Sequence, residues 1–595
     1  MDHKSVYHML MSQVERYGDK AVIYYKTSGR WNPVSWNELS ARISEVALGL
    51  ISLGVNAGQA VGIVSDNRPE WLYTDLGIIG AGCVTTAAYP TTPARDVAYI
   101  IGHAECPVAF AENKIHLKKI LDELPNLPNL RKIVVYDMEG VAASGNLISF
   151  ADLLALGASA DAGARAEWEK RKSELSPEHY VTFIYTSGTT GPPKGAMLTH
   201  ANVLFICKAH TDINYVGPEE RSLSFLPLAH ALERVITCIS LAAGGEIYMA
   251  ESIAKLRENL VEARPTILIG VPRVYEKMYE GIRAEVDKSP LFKRKIFFWA
   301  VEVGKRVFEL KVRKRKIPLD LALKYAVADR LVFRRIRALT GGRIRFLGSG
   351  GAPLPPEVQE FFGAAGLQIV QAYGLTETCA PSILTPIGES RIGRVGKRMN
   401  GVDVEIAADG EILIRGPNVF KGYFKNEEAT AAAFENGWFK SGDLGRFDEE
   451  GYLEITGRKK DLLITSGGKN IAPQNLEHHF ISMPLVSQVV VCGDSRPFLT
   501  ALFTLNREDV ERFAESNGIN ATTGVILETH PEVVSYLQKQ VDKKNESVAK
   551  FEKIVKFKII PHEFSVDSGE MTPTMKIKRN IVFKNYKELI DSMYE

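Results

Sequence analysis

From Tyr185 to Gly195 the chain reads YTSGTTGPPKG, directly after the apolar run VTFI. A strand feeding a turn rich in Ser, Thr and Gly exposes backbone N–H groups and hydroxyls with little side-chain bulk. A concave nest of such donors suits the oxygens of a polyphosphate. Thr186, Ser187, Gly188, Thr189 and Thr190 supply these groups, and Lys194 adds a fixed positive charge. The string differs from the loop of P-loop NTPases, which requires Gly-Lys-Ser/Thr, because Lys194 stands between Pro193 and Gly195.

A second feature is electrostatic. Between Lys288 and Arg345, eighteen Lys and Arg face only Glu302, Glu309, Asp320 and Asp329, with aromatics interleaved at FFWA and VFEL. Two readings stand: a solvated helical face, or a patch for anionic lipid at which an amphipathic substrate would collect. The chain as a whole carries a net charge of +2 and announces no nucleic-acid partner.

These groups need a scaffold. Short apolar runs (AVGIVSDN near Val61, LGIIGAGCV near Gly77, RKIVVYD near Val134, TILIGVP from Thr266, RFLGSGGAPL from Arg345) alternate with helix-length segments. That pattern predicts a doubly wound α/β sheet with mostly parallel strands. From Val402 the sequence VDVEIAADGEILIRG turns to short strands with turn signals, typical of a small β-rich subdomain. After GRKKD at Gly457 a smaller α/β unit is expected. At 595 residues the chain is too long for one core. The six cysteines include no C-x-x-C pair, which argues against a disulfide framework or a zinc site and fits a reducing, cytoplasmic compartment. The N-terminal MDHKSVYHMLMSQVERYGDKAV lacks the pattern of a secretion signal. No uncharged apolar run reaches the roughly 20 residues of a membrane span, so any membrane contact is expected to be peripheral, at the inner face.

The phosphate-binding string is followed, in order and over nearly the whole chain, by LPLAH (Leu226–His230), GSGGAPL (Gly348–Leu354), YGLTE (Tyr373–Glu377), SGDL (Ser441–Leu444), GRKKD (Gly457–Asp461) and PTMKIKR (Pro573–Arg579). This series resembles the adenylate-forming superfamily of acyl-CoA synthetases, luciferases and peptide-synthetase adenylation domains. The resemblance implies a role for each string. His230 lies beside the acyl carboxylate, and Gly351 and Ala352 lie against the adenine. Tyr373, Gly374 and Thr376 meet the adenylate phosphate, and Glu377, with Thr189, is expected to hold Mg2+, for which a hard carboxylate oxygen is suited. Asp443 accepts the ribose hydroxyls with Arg458 assisting. Lys576 is the C-terminal catalytic lysine. Two departures stand out: Met575 occupies the place where the family commonly has Gly, and Ser441 stands where Thr is usual.

The implied architecture is an N-terminal domain over residues 1–456 and a mobile C-terminal domain over 457–595, with the hinge at 457–461 and its pivot at Lys460 or Asp461. The implied reaction uses ATP and coenzyme A to convert a fatty acid to acyl-AMP and then to acyl-CoA. PTILIGVPRVYEKMYEGI (Pro265–Ile282), LPLAHALERV and QAYGLTET favour the long-chain branch. The rival readings are a fatty acyl-AMP ligase serving a carrier protein, a non-catalytic lipid- or nucleotide-binding module, and a luciferase-like oxygenase. Chain length and oligomeric state, a homodimer included, are not fixed by the sequence.

Overall fold

The computed structural model describes residues 3–142, 145–186, 192–213, 215–519, 527–572 and 575–595. Four of the five expected apolar runs form strands of two large sheets. Strands Ala60–Val64, Val84–Ala88 and Val108–Ala111 are buried along their whole length, as parallel strands covered by helices on both faces must be. They belong to a seven-stranded sheet, ordered Leu147–Ser149, Lys132–Val135, Val108–Ala111, Ala60–Val64, Val84–Ala88, Tyr180–Thr186, Lys194–Thr199. All neighbours are parallel except the last pair, a hairpin whose strands flank the phosphate-binding string. After Ala60–Val64 the next strand lies on one side and the one after it on the other. The crevice beyond Val64 is therefore a topological switch point.

The second sheet has nine strands, with a parallel centre and an antiparallel hairpin at each end. It carries Phe346–Ser349 and Ile369–Leu375, the strands that lead into GSGGAPL and YGLTE. The β-rich subdomain is present as an antiparallel five-stranded sheet between Asp403 and Arg458. Beyond it lies a three-stranded sheet of Val486–Cys492, Leu499–Leu505 and Ile554–Ile560, packed by helices that include Pro473–Ile481 and Pro531–Asn545. The buried apolar clusters respect this division. Three hold residues between Val6 and Leu453, and two hold residues between Leu463 and Met593.

One sequence reading is corrected locally. LGIIG near Gly77 is the end of a helix, Pro69–Gly80, and the strand begins only at Val84. The helix is buried from Trp71 to Gly80, so its hydrophobic pattern has no period to distinguish it from a strand. Gly77 is where it meets its neighbour: a Cβ there would lie 2.5 Å from Val46 Cγ1. The apolar run from Val235 to Ala250 divides into helix Ala231–Ala243 and strand Glu246–Met249. The break is Gly244, left-handed at φ 75°, where a Cβ would sit 2.3 Å from the Tyr17 ring. Among the described residues no helix is long and apolar enough to cross a membrane.

Candidate active site

The switch in backbone direction at YGLTE is built by close approach. Strand Ile369–Leu375 pairs antiparallel with Ala380–Leu384 through a 3-10 turn at Thr376–Thr378, with Cys379 and Ala380 both at positive φ. Gly374 permits it, because a Cβ there would stand 1.8 Å from the Ala380 carbonyl oxygen. The turn presents Thr376 and Glu377. The Tyr423 hydroxyl donates to Glu377 Oε1 at 2.8 Å, and the Lys194 ammonium lies 5.3 Å from the centroid of the Tyr423 ring. Tyr423 thus joins the base of the phosphate-binding hairpin to the acidic residue. The backbone around it reinforces the link, since Phe420 N–H donates to Glu377 O and Phe424 N–H to Gly195 O, each at 2.8 Å. Glu377 Oε2 accepts no hydrogen bond among the described residues, which leaves a hard oxygen available to a magnesium ion.

Thr186 closes the hairpin opposite Lys194. Ser187, Gly188, Thr189 and Thr190 lie outside the described residues. Gly351 has φ 84°, a left-handed conformation open to glycine, and Ala352 follows it exposed. Just before them Ser349 is 3% exposed, and its hydroxyl finds no protein partner among the described residues. A buried polar atom at a strand end facing this turn fits a polar ligand.

Asp443 is 6% exposed and shared by two donors: the Tyr373 hydroxyl reaches Oδ2 at 2.9 Å and Arg458 Nε reaches Oδ1 at 2.8 Å. Arg458, expected to assist Asp443 at the ribose, is ion-paired with it, and Tyr373 is its second donor. Burial and the Asp443 charge hold the Tyr373 phenol well above its ordinary pKa, so it stays protonated and donates. Each Asp443 oxygen keeps a lone pair for a diol.

His230 caps helix Ala231–Ala243: its Nδ1 accepts from Leu232 N–H at 3.1 Å. That hydrogen bond puts the ring proton on Nε2. Burial, then the charge of Lys576, push its pKa down to about 4, so the imidazole is neutral at physiological pH and Nε2–H is a donor. The next residues are structural. Arg234 donates through Nε to Asp75 Oδ2 at 3.1 Å inside the core, and burial pushes the Glu233 carboxyl up to about 8.

Lys576 completes the set from the C-terminal side. Dense protein around its ammonium, followed by the Arg458 charge, lowers its pKa, while Asp443 and Glu377 oppose that shift. The residue keeps solvent contact, so these charges are partly screened. Lys576 thus lies within electrostatic range of His230, Glu377, Asp443 and Arg458. The turn that carries it is tight, with Thr572 N–H donating to Lys576 O at 2.8 Å and Met575 at φ 61°. The left-handed backbone at 575 is the physical reason glycine suits this position, and Met575 bears a strain of about 1 kcal/mol there.

At the expected hinge, Lys459 holds Glu411 at 2.8 Å on the N-terminal side, and Asp461 accepts from Gln474 Nε2 at 2.7 Å on the C-terminal side. Lys460 lies between these anchors, exposed and with no ion pair among the described residues. The Tyr423–Glu377 and Tyr373–Asp443 contacts are ones that motif reading did not foresee. Tyr373 was legible as part of its motif but not as a partner of Asp443, and Tyr423 lies in a string with no signature.

The chain belongs to the AMP-binding enzyme family: the family's model matches residues 10–424, and that of the AMP-binding enzyme C-terminal domain matches residues 460–595. Among its relatives, a long-chain-fatty-acid–CoA ligase of Mycobacterium tuberculosis is 39% identical over 600 residues, spanning 100% of this chain and 97% of the relative. A long-chain-fatty-acid–CoA ligase of Xenopus laevis is 33% identical over 629 residues, spanning 99% of this chain and 84% of the relative. Among solved structures, the anthranilate CoA ligase AuaEII in complex with anthranoyl-AMP matches with a TM-score of 0.73 at 18% identity, covering 100% of this chain and 99% of that one. The A-PCP didomain of carboxylic acid reductase from Segniliparus rugosus, in complex with AMP, matches at 0.76 and 20% identity, covering 100% and 82%. At these identities the structural likeness establishes the fold: a mixed α/β protein with a large N-terminal and a smaller C-terminal domain.

Proposed function

We infer that the protein is an AMP-forming long-chain fatty acid–CoA ligase. The observation that supports this reading is that Lys576 lies within electrostatic range of His230, Glu377, Asp443 and Arg458, with Arg458 Nε on Asp443 Oδ1 at 2.8 Å. Full-length relatives bearing that name supply the substrate class. In the first step a carboxylate oxygen attacks the α-phosphorus of ATP, the bond to the β-phosphate oxygen breaks, and pyrophosphate leaves. In the second the thiolate of coenzyme A attacks the acyl carbon and AMP leaves.

This chain's own groups have separable tasks. Lys194 and the string Thr186–Thr190 bind the β- and γ-phosphates. Asp443, fixed by Tyr373 and Arg458, accepts the ribose hydroxyls, and Gly351 and Ala352 admit the adenine. Neutral His230 donates from Nε2 toward the acyl carboxylate. Lys576 meets the charge that builds between carboxylate and α-phosphate. Glu377, held by Tyr423, would be the protein ligand of a magnesium ion, which when bound shields the triphosphate from the incoming carboxylate. Division at residue 456, with a pivot at Lys460, would let the smaller domain withdraw Lys576 and open a path for the thiol. The test is thioester formation with full-length protein and acids of graded length. Each buried CH2 contributes about 0.8 kcal/mol, so palmitate should exceed octanoate in kcat/KM by ~10² or more. Equal rates would contradict a long-chain site, and AMP release without thioester would favour a carrier-protein ligase.

The basic stretch fits a peripheral seat on anionic membrane. It forms helices Leu291–Val312 and Leu319–Ala328, which leave Leu291, Phe292, Leu319 and Leu323 more than half exposed. Apolar side chains beside Lys293, Lys295 and Lys316, none with an acidic partner among the described residues, make an amphipathic surface rather than a purely solvated face. Sedimentation with phosphatidylglycerol vesicles should be strong at low salt and fade as ionic strength rises. Replacing the three lysines by Gln should weaken it, and absence of binding at low salt would leave the solvated-face reading standing.

A further inference from the structure

His230 is only as well placed as the turn that leads to it, Leu226–His230, and that turn is gripped by a residue from the other large sheet. Asn67 lies just past strand Ala60–Val64, at the mouth of the switch-point crevice. Its Nδ2 donates to Leu226 O at 2.7 Å and to Ser224 Oγ at 3.3 Å, and its Oδ1 accepts from Leu228 N–H at 2.9 Å. The amide therefore spans the residues on either side of Pro227. His230 N–H in turn donates to Pro227 O at 2.9 Å, so a shift of the gripped turn passes to the imidazole.

Asn67 is itself held. Glu112, at the end of the adjacent strand Val108–Ala111, accepts from Asp66 N–H at 2.7 Å. The helix that follows, Pro69–Gly80, carries Asp75, which binds Arg234 beyond the far end of the same turn. One short stretch, 66–75, thus clasps residues 224–234 at both ends. Among side chains of this size an amide is suited to the post: it donates to a carbonyl and accepts from an N–H at once. Aspartate would set a carboxylate against the Leu226 carbonyl, and alanine would leave the turn's polar groups without these partners.

We propose that Asn67 is a positioning residue for the acyl half of the site, setting the turn that aims His230 at the substrate carboxylate. The proposal rests on the ligase reading above, in which that turn lines the acyl carboxylate. Asn67 touches no reacting atom.

The experiment uses full-length protein and fatty-acid-dependent ATP–pyrophosphate exchange. Asn67→Ala should lower kcat/KM for palmitate about 30-fold, the order expected when a pair of hydrogen bonds is lost from a positioned turn. The KM for ATP should stay within about twofold, because the nucleotide contacts lie elsewhere. Asn67→Asp supplies a readout that a merely structural role would not move. At neutral pH it should be at least as impaired. As pH falls, protonation of the introduced carboxyl restores a donor for Leu226 O, so its activity relative to wild type should climb. An unchanged kcat/KM for palmitate in Asn67→Ala would overturn the proposal. So would a parallel fall in every kinetic constant, or an Asn67→Asp ratio flat with pH. An inactive wild type would overturn the ligase reading together with this one, whereas an active wild type with any of those three results overturns this one alone.

Discussion

Lys576→Ala should slow ATP–pyrophosphate exchange by ~10² or more, a loss of about 2.7 kcal/mol or above in transition-state stabilisation. The magnitude follows from the location. Its charge is felt at His230, and Asp443 and Glu377 are the acids that oppose the lowering of its own pKa. A cation pre-placed there needs no reorganisation when negative charge builds between carboxylate and α-phosphate. Formation of acyl-CoA from supplied acyl-AMP should fall far less, since in the proposed mechanism the smaller domain rotates Lys576 away before the thiol attacks. Equal losses in the two half-reactions would show that Lys576 serves the fold or both steps alike, and would remove it from the role assigned here.

The second large effect is expected at the hinge. Lys459 is anchored to Glu411 and Asp461 to Gln474, so the residue left to absorb a rotation is Lys460. Proline fixes φ near −65° and restricts the residue before it, so Lys460→Pro should hold one orientation of the smaller domain. In the proposed mechanism the orientation that brings Lys576 to the nucleotide is the adenylating one, and the proline is expected to hold it. Exchange should therefore stay within about tenfold of wild type, while thioester formation from acyl-AMP and coenzyme A falls by ~10² or more. Lys460→Ala leaves φ free and should impair both halves mildly. If proline depresses both together in a folded protein, the pivot is not at Lys460, and the same pair of substitutions at Asp461 locates it.

How far the sequence could be read depends on the distance over which each contact acts. Strand Ala60–Val64 announces itself because a fully buried strand is locally apolar, and the subdomain after Val402 because its turns are local too. Pro69–Gly80 does not, since burial on every side erases the helical period by which it would be recognised. Among the site residues, Glu377, Asp443 and Lys576 sit in strings whose composition reflects their chemistry. Tyr423 and Asn67 sit in strings that carry no such mark, and act on partners 46 and 161 residues away, so only the assembled fold reveals them. Met575 shows the converse: the departure from glycine was visible, but its meaning, a side chain held at positive φ, needed the backbone.

These features all serve one claim, that ATP is cleaved at its α-phosphorus by a carboxylate and that the acyl group then passes to coenzyme A. The most direct measurement is a product analysis of the full-length protein with MgATP, palmitate and coenzyme A, separating the nucleotides and the thioester by chromatography. AMP, pyrophosphate and palmitoyl-CoA should form in equal amounts, with palmitoyl-AMP appearing when coenzyme A is withheld. Release of ADP and phosphate would contradict it, because the attack would then have fallen on the γ-phosphorus.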